Sequence, residues 1–348
     1  MKIQSPYQTY KRFRTLQTDT ITSLPIVILM PHSACNCRCV MCDIWKGNHN
    51  LKQLSEADIQ GLLDSLRKYE TKQVLMTGGE AILHANFFRF CEILKKEKIK
   101  ISLLSTGLTM KKNAHLLVDG VDDIIVSLDG NEEIHNRIRN IPGAYLRLRE
   151  GIEAVKSLKP SFPVSGRTVI QKLNFRHWAA ILESAKQIGL NTVSFLPADV
   201  SSTAFNRAMQ WELEKQHQIM LGEEDLGELG EVVEDIIDNY KGDFVSHFIV
   251  ESPAKLRNIY QYYAACHGFN DFPYKKCNAP WVSTVIEADG TVRPCFFHND
   301  YGNIKSDPLD KIINSPQAIR FRKNLDMAED ETCKKCVCYL NLKPHIQI

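Results

Sequence analysis

The chain has 348 residues, 44% hydrophobic and 24% charged, which excludes dominant disorder and leaves room for one large domain or two of unequal size. Lys plus Arg (43) nearly balances Asp plus Glu (41), so the net charge of +2 gives no global field to recruit nucleic acid or an anionic membrane. The first residues lack the basic, apolar and small-residue pattern of a signal peptide, and the apolar run 24–30 is far shorter than the roughly 20 residues of a membrane helix. A cytoplasmic protein with reduced thiols is expected.

In chain order, a short N-terminal segment (residues 1–23) leads into six apolar strand candidates at 24–30, 73–77, 100–105, 122–128, 164–171 and 192–197. They are rich in Val, Ile and Leu without polar alternation, as in parallel strands covered on both faces. Between them the period is helical. Ser55 and Asp58 form a cap signal ahead of Ile59, Leu62, Leu63 and Leu66. Phe87, Phe90, Cys91 and Leu94 share one face, as do Trp178, Ile181, Leu182 and Ala185 before a stop at Gly189. Six β-α units over residues 24–239 predict an α/β fold with a parallel sheet, open or rolled into a partial barrel.

After about residue 221 the pattern changes to an acidic helix at 223–238, read as a solvated face, and another near 253–265. A smaller second domain is expected over 240–348. It contains a hairpin turning at Asp289-Gly290 and a helix with Ser315 as N-cap and Pro316 in its first position.

Eleven cysteines in a reducing compartment read as ligands and core residues rather than disulfides. Four of them, Cys35, Cys37, Cys39 and Cys42, crowd into "CNCRCVMC" directly after the first strand, on the functional edge of an α/β sheet. Cys35, Cys39 and Cys42 give C-x3-C-x2-C. Three thiolates cannot close a four-coordinate zinc site, but they can hold three irons of a [4Fe–4S] cluster and leave the fourth open. A zinc knuckle or a redox pair is the plain alternative.

Further motifs follow in order: "MTGGE" (Gly78, Gly79, Glu80) after the second strand, "STG" (Ser105, Thr106, Gly107) after the third and "VSLDG" (Ser127, Asp129) after the fourth. With the cysteines, they resemble the radical S-adenosylmethionine (SAM) superfamily. The resemblance implies a partial (β/α)6 TIM-type barrel and a SAM-binding [4Fe–4S] cluster on Cys35, Cys39 and Cys42. It implies SAM contacts from Gly78, Gly79, Glu80, Thr106, Ser127 and Asp129, with Arg167 near the SAM carboxylate and Leu196 and Pro197 beside the adenine. Where the family often has an aromatic residue before the third cysteine, this chain has Met41.

The second domain adds Cys277, then Gly290 after twelve intervening residues, Cys295 after four more, and "ETCKKCVC" with Cys333, Cys336 and Cys338. This is similar to the SPASM/twitch extensions that carry auxiliary [4Fe–4S] clusters. The resemblance favours the shorter twitch type with one second cluster on Cys277, Cys295, Cys333 and Cys336. Cys338 is an alternative to Cys333, and a structural zinc site is a rival. Cys91 reads as core. Cys37, Cys266 and Cys338 read as filler, with a role as hydrogen-atom donor the sharper option for Cys37 and Cys338. His32 and His298 read as neutral hydrogen-bond donors behind the ligands.

The function implied is reductive cleavage of SAM to a 5′-deoxyadenosyl radical, driven by an external one-electron reductant such as flavodoxin or ferredoxin. The radical abstracts a substrate hydrogen, and an auxiliary cluster accepts the second electron. The Cys277–Gly290–Cys295 spacing resembles that of a cyclitol dehydrogenase of aminoglycoside biosynthesis, which implies oxidation of a sugar- or cyclitol-like small molecule. About 24 residues precede the first strand, which also tilts the expectation from a peptide-binding maturase toward a small molecule. The alternatives are a ribosomal peptide or protein maturase that cross-links, epimerises or oxidises, and a non-catalytic iron-sulfur or zinc protein.

Overall fold

The computed structural model describes residues 4–207 and 209–348, so positions 1–3 of the N-terminal segment lie outside the described residues. Six parallel strands, β1 (Ile26–His32), β2 (Gln73–Gly78), β3 (Lys100–Ser105), β4 (Asp123–Ser127), β5 (Val164–Ile170) and β6 (Thr192–Pro197), pair in sequence order. On the far side of β1 the sheet continues as β7 (Ser283–Ile286), parallel to β1, then β8 (Thr291–Arg293) and β9 (Gly302–Asn303), both antiparallel.

The first strand lies two residues later than its apolar run suggests. Pro25 has no N–H to give a ladder, and its carbonyl instead accepts from Lys72 and Gln73 at the mouth of β2. Leu24 is still buried, as core under a turn rather than as strand. Burial alternates along β1, β2, β4 and β5, whereas β3 and β6 each bury three consecutive residues, closer to the expected cover on both faces. In β5, Val164, Gly166, Thr168 and Ile170 lie under helices, while Ser165, Arg167 and Val169 turn to the open concave face. That face of a partial barrel stays accessible, and polar residues are tolerated there.

The helices are α1 (Pro6–Thr18), α2 (Glu56–Lys68), α3 (Phe87–Lys96), α4 (Met110–Gly120), α5 (Glu132–Arg139), α6 (Ala144–Leu158) and α7 (Trp178–Gln187). They continue with α8 (Leu213–Ile219), α9 (Leu226–Asn239), α10 (Lys241–Val245), α11 (Pro253–Cys266), α12 (Ala279–Val282), α13 (Leu309–Ile313), α14 (Pro316–Asn324) and α15 (Glu331–Lys335). Ser55 and Asp58 form the reciprocal cap of α2, and Ser315 caps α14 with Pro316 at its start. The acidic helix α9 is solvated on one side only, since Leu229, Val233 and Ile236 are buried. Both α9 and α11 pack with the barrel, α11 directly on β6, so the boundary expected at 240 falls inside one helical layer.

As the edge strand of the sheet, β6 has its backbone donors covered. Val193 donates to Phe248, Val250 donates back to Val193, and Phe195 donates to the Glu251 carboxylate at 3.0 Å. The N-terminal helix α1 is tied to the other end of the chain. Arg12 donates to the Ile346 carbonyl at 2.6 Å, and Asp19 receives Trp281 on its side chain and Arg322 on its carbonyl. No described helix is long and apolar enough to cross a membrane.

Candidate functional site

The loop after β1 carries the first cysteines, and its backbone is seated by two neighbours. On one side lies the glycine pair at the end of β2. Gly78 has φ +115°, and a Cβ there would sit 2.9 Å from the His32 carbonyl oxygen; a Cβ on Gly79 would overlap the carbonyl oxygen of Ala34. Glu80 then donates its N–H to Ala34 at 2.7 Å. The close approach the glycines permit here is that of the cysteine loop itself. On the other side the last turn of α5 accepts from the loop, Arg38 donating to the Arg139 carbonyl (3.1 Å) and Val40 to that of Ile138 (3.0 Å).

None of the eleven thiols forms a disulfide. Burial pushes Cys35 and Cys42 up to about 12. A hydrogen bond from Cys37, and after it the charge of Arg139, lowers Cys39 to about 6, while that same bond raises Cys37. Cys37 is 1% exposed and Cys91 fully buried, so both are core. Among the described residues, the single trio of Cys, His, Asp or Glu donor atoms within 4.8 Å of one another is His298, Asp330 and Cys333. At least one pair among the thiols of Cys35, Cys39 and Cys42 is therefore wider than 4.8 Å, and three thiolates are the donor set of a [4Fe–4S] cluster with one iron left open.

The strand-end residues fall into two sets. Glu80 is fully buried. Its carboxylate accepts from the Thr106 N–H at 2.7 Å, the Thr106 hydroxyl at 2.6 Å and the Ser105 hydroxyl at 3.0 Å, and that hydroxyl of Thr106 also reaches Asn36 of the cysteine loop at 2.9 Å. Burial raises the Glu80 pKa against the pull of those donors. Asp129 is likewise buried, but it faces Arg139 at 2.5 Å, so its partner is the chain's own guanidinium and not an open site. Ser127, Arg167 and Ser194 form one row across β4, β5 and β6. Arg167 is exposed and donates to the Ser194 hydroxyl at 3.3 Å; Leu196 lies one pleat further along the same face. His32 accepts the Ala34 N–H on Nδ1 at 2.9 Å, and burial lowers its pKa. With Nδ1 as the acceptor that shapes the loop, a neutral ring carries its proton on Nε2.

In the C-terminal region Cys277, Cys295, Cys333, Cys336 and Cys338 line one cavity together with His298, Lys275 and Phe297. His298 Nε2 lies 3.3 Å from the Cys333 sulfur, and burial lowers the pKa of its ring. Asp330 caps the turn of Cys333 at 2.8 Å. Five thiols for four places fit a [4Fe–4S] cluster and leave the fourth ligand to be decided by test. Cys266 is half-buried on α11, outside this cavity.

A strap over residues 198–207, with Trp211 beyond it, links the two cysteine regions. Trp211 donates to Asp43 at 2.8 Å, and Asn206 to the Asp43 carbonyl at 3.3 Å, directly after Cys42. Phe205 stacks on Phe296 and meets Phe297 edge-on, directly after Cys295. A buried Asp199–Arg207 ion pair at 2.7 Å, with Arg207 over the Trp211 ring at 3.8 Å, stiffens the strap.

Sequence reasoning passed over Arg139, Asn36, Asp43 and Trp211. For Arg139 a signal existed, since it follows His135 by four residues on the buried side of α5. Trp211 and Asp43 are joined only by the fold.

Residues 29–196 match the radical SAM superfamily, and residues 277–337 match the SPASM iron-sulfur cluster-binding domain. The AdoMet-dependent heme synthase of Methanosarcina barkeri is 24% identical over 329 residues, 89% of this chain and 87% of its own length. The subtilosin biosynthesis protein AlbA of Bacillus subtilis is 24% identical over 311 residues, 87% of this chain but 62% of its own. In structure, Streptococcus suis SuiB bound to S-adenosylmethionine aligns over 93% of this chain and 75% of its own, with a TM-score of 0.63 at 13% identity, a likeness of fold.

Proposed function

For a chain that belongs to the radical SAM superfamily and carries a SPASM iron-sulfur domain after its partial barrel, we propose an oxidoreductase that removes hydrogen from a small molecule and passes the remaining electron to the second cluster. The observation that carries this reading is the strap 198–207, with Trp211 beyond it, seated on Asp43 beside Cys42 at one end and on Phe296 and Phe297 beside Cys295 at the other. A substrate on the concave face lies between an electron source and an electron sink. The near full-length match to a heme synthase, whose named product is a small molecule, supports the same choice.

A [4Fe–4S] cluster on Cys35, Cys39 and Cys42 with SAM bound supplies a 5′-deoxyadenosyl radical and methionine from one electron of an external reductant such as flavodoxin or ferredoxin. The chain's own residues position and shield. Glu80, held by Ser105 and Thr106, offers a fixed carboxylate to the SAM ammonium. Arg167, with Ser127 and Ser194 beside it, offers a cation to a carboxylate of SAM or substrate. The strap and its aromatic residues exclude water from the concave face. Cys277, Cys295, Cys336 and Cys333 hold the second cluster.

A second reading, maturation of a ribosomal peptide, is supported by the 311-residue match to AlbA. The two readings separate with the reconstituted, reduced enzyme and SAM, presented either with a small-molecule ultrafiltrate of cell extract or with its peptide fraction. Stimulation of 5′-deoxyadenosine formation by the ultrafiltrate is expected. Stimulation by the peptide fraction alone would overturn the small-molecule reading, and no 5′-deoxyadenosine with either would overturn the enzyme reading. Cys295→Ser should spare SAM cleavage and stop product formation.

A further inference from the structure

The last turn of α5 contributes more than backbone acceptors to the first cysteine loop. Arg139 ends that helix, which stops at Asn140 in the left-handed region (φ 52°). Its Nη1 points at the Cys39 sulfur at 3.4 Å, and its Nη2 meets Asp129 Oδ2 at 2.5 Å. The side chains of Arg139 and Asp129 are 8% and 0% exposed. His135 lies with Nδ1 4.0 Å from Asp129, and that same Nδ1 accepts the Asp129 N–H at 3.2 Å, which fixes the ring as neutral. A buried cation, one counter-anion and one cysteine ligand thus form a row inside the protein.

We infer that Arg139, aligned by Asp129, is the positioning residue that sets the reduction potential of the SAM-binding cluster. The inference rests on the reading that Cys35, Cys39 and Cys42 hold that cluster. Reduction adds one negative charge, and a donor aimed at a ligand sulfur with a positive charge behind it stabilises the reduced state. Burial strengthens the effect, because little water screens it. Asp129 offsets part of the guanidinium charge and holds it in line. The two residues therefore push the potential in opposite directions.

The test uses the full-length, iron-loaded protein in a dye-mediated EPR redox titration, following the signal that changes on adding SAM. Arg139→Gln is expected to move the midpoint negative, with at least a tenfold smaller ratio of reduced to oxidised cluster at the wild-type midpoint, equal to 59 mV for one electron. Arg139→Lys, which keeps the charge and loses the fork, should fall between. Asp129→Asn should move the midpoint positive. If Arg139→Gln fails to hold iron, the Lys and Asn variants carry the test. Unchanged midpoints with weakened SAM affinity would overturn the inference and make Arg139 a SAM ligand. Shifts of the same sign in both variants would overturn it as general loosening of the loop. A wild type with no SAM-responsive signal would overturn the cluster reading itself.

Discussion

Trp211 donates its indole N–H to Asp43 Oδ2 at 2.8 Å across 168 residues of sequence, and Asp43 directly follows Cys42. Asp43 also pairs with Lys46 at 2.8 Å, and these donors hold its pKa down although burial acts to raise it. The strap is thereby fastened to the loop that carries the first cysteines.

Trp211→Phe keeps a ring beneath Arg207 but leaves the buried Asp43 carboxylate without its indole donor. A loss of about 1–2 kcal/mol is expected, read as a lower unfolding midpoint of the iron-loaded protein. With the strap loosened, water reaches the concave face, so 5′-deoxyadenosine formed without substrate should rise. An unchanged midpoint with unchanged uncoupled cleavage would show that the strap is not fastened here.

The glycine pair predicts a contrast between two alanine substitutions. In Gly79→Ala the new methyl overlaps the Ala34 carbonyl, which is backbone and cannot turn aside. A cost of about 3 kcal/mol is expected, with loss of iron from the first site. Gly61→Ala, inside α2 with nothing within 4 Å of the added Cβ, should instead gain up to about 1 kcal/mol. Iron analysis and denaturant midpoints of the two variants check both signs.

The periodicity of Val, Ile and Leu made the six parallel strands legible, and local capping chemistry made α2 and α14 so, because both depend on residues a few positions apart. The convergence of Cys277 and Cys295 with the "CKKCVC" group in one cavity was legible through spacing and resemblance. The partners of Asp129 were not. The motif places it at a strand end, as it does Ser127, but a charge's partner is chosen by tertiary packing, and Arg139 arrives from the far end of α5. The glycine pair was read for its conformational freedom, yet what fills the space beside it, the Ala34 carbonyl, depends on how an earlier loop folds back.

The fourth ligand of the second cluster is expected to be Cys333. Its sulfur is met by neutral His298 at 3.3 Å and its turn is capped by Asp330, whereas Cys338 is exposed and its carbonyl receives the Cys336 thiol at 3.1 Å. A ligand supported by outer hydrogen bonds is held for iron, and one without them is not. Cys338→Ser should keep about eight irons per chain, and Cys333→Ser about four. The reverse pattern would transfer the role to Cys338.

Glu80 gives a prediction in which stability and binding move apart. Burial raises its pKa in the folded protein, although Thr106 and Ser105 favour the ionised form. A raised carboxyl pKa contributes stability below the unfolded value of about 4.3 that is lost as pH rises through the folded value. At neutral pH the buried carboxylate is thus a net cost to the apo fold. Glu80→Gln retains an acceptor for Thr106 and removes the charge. Its unfolding midpoint should equal or exceed that of wild type at pH 7, with the advantage gone at pH 4. SAM affinity should fall about 10- to 100-fold, the loss of one charge-assisted bond to the ammonium. Thermal unfolding at both pH values and SAM titration of the reconstituted protein check the two directions. A less stable variant at pH 7 that binds SAM normally would assign Glu80 to holding the loop alone.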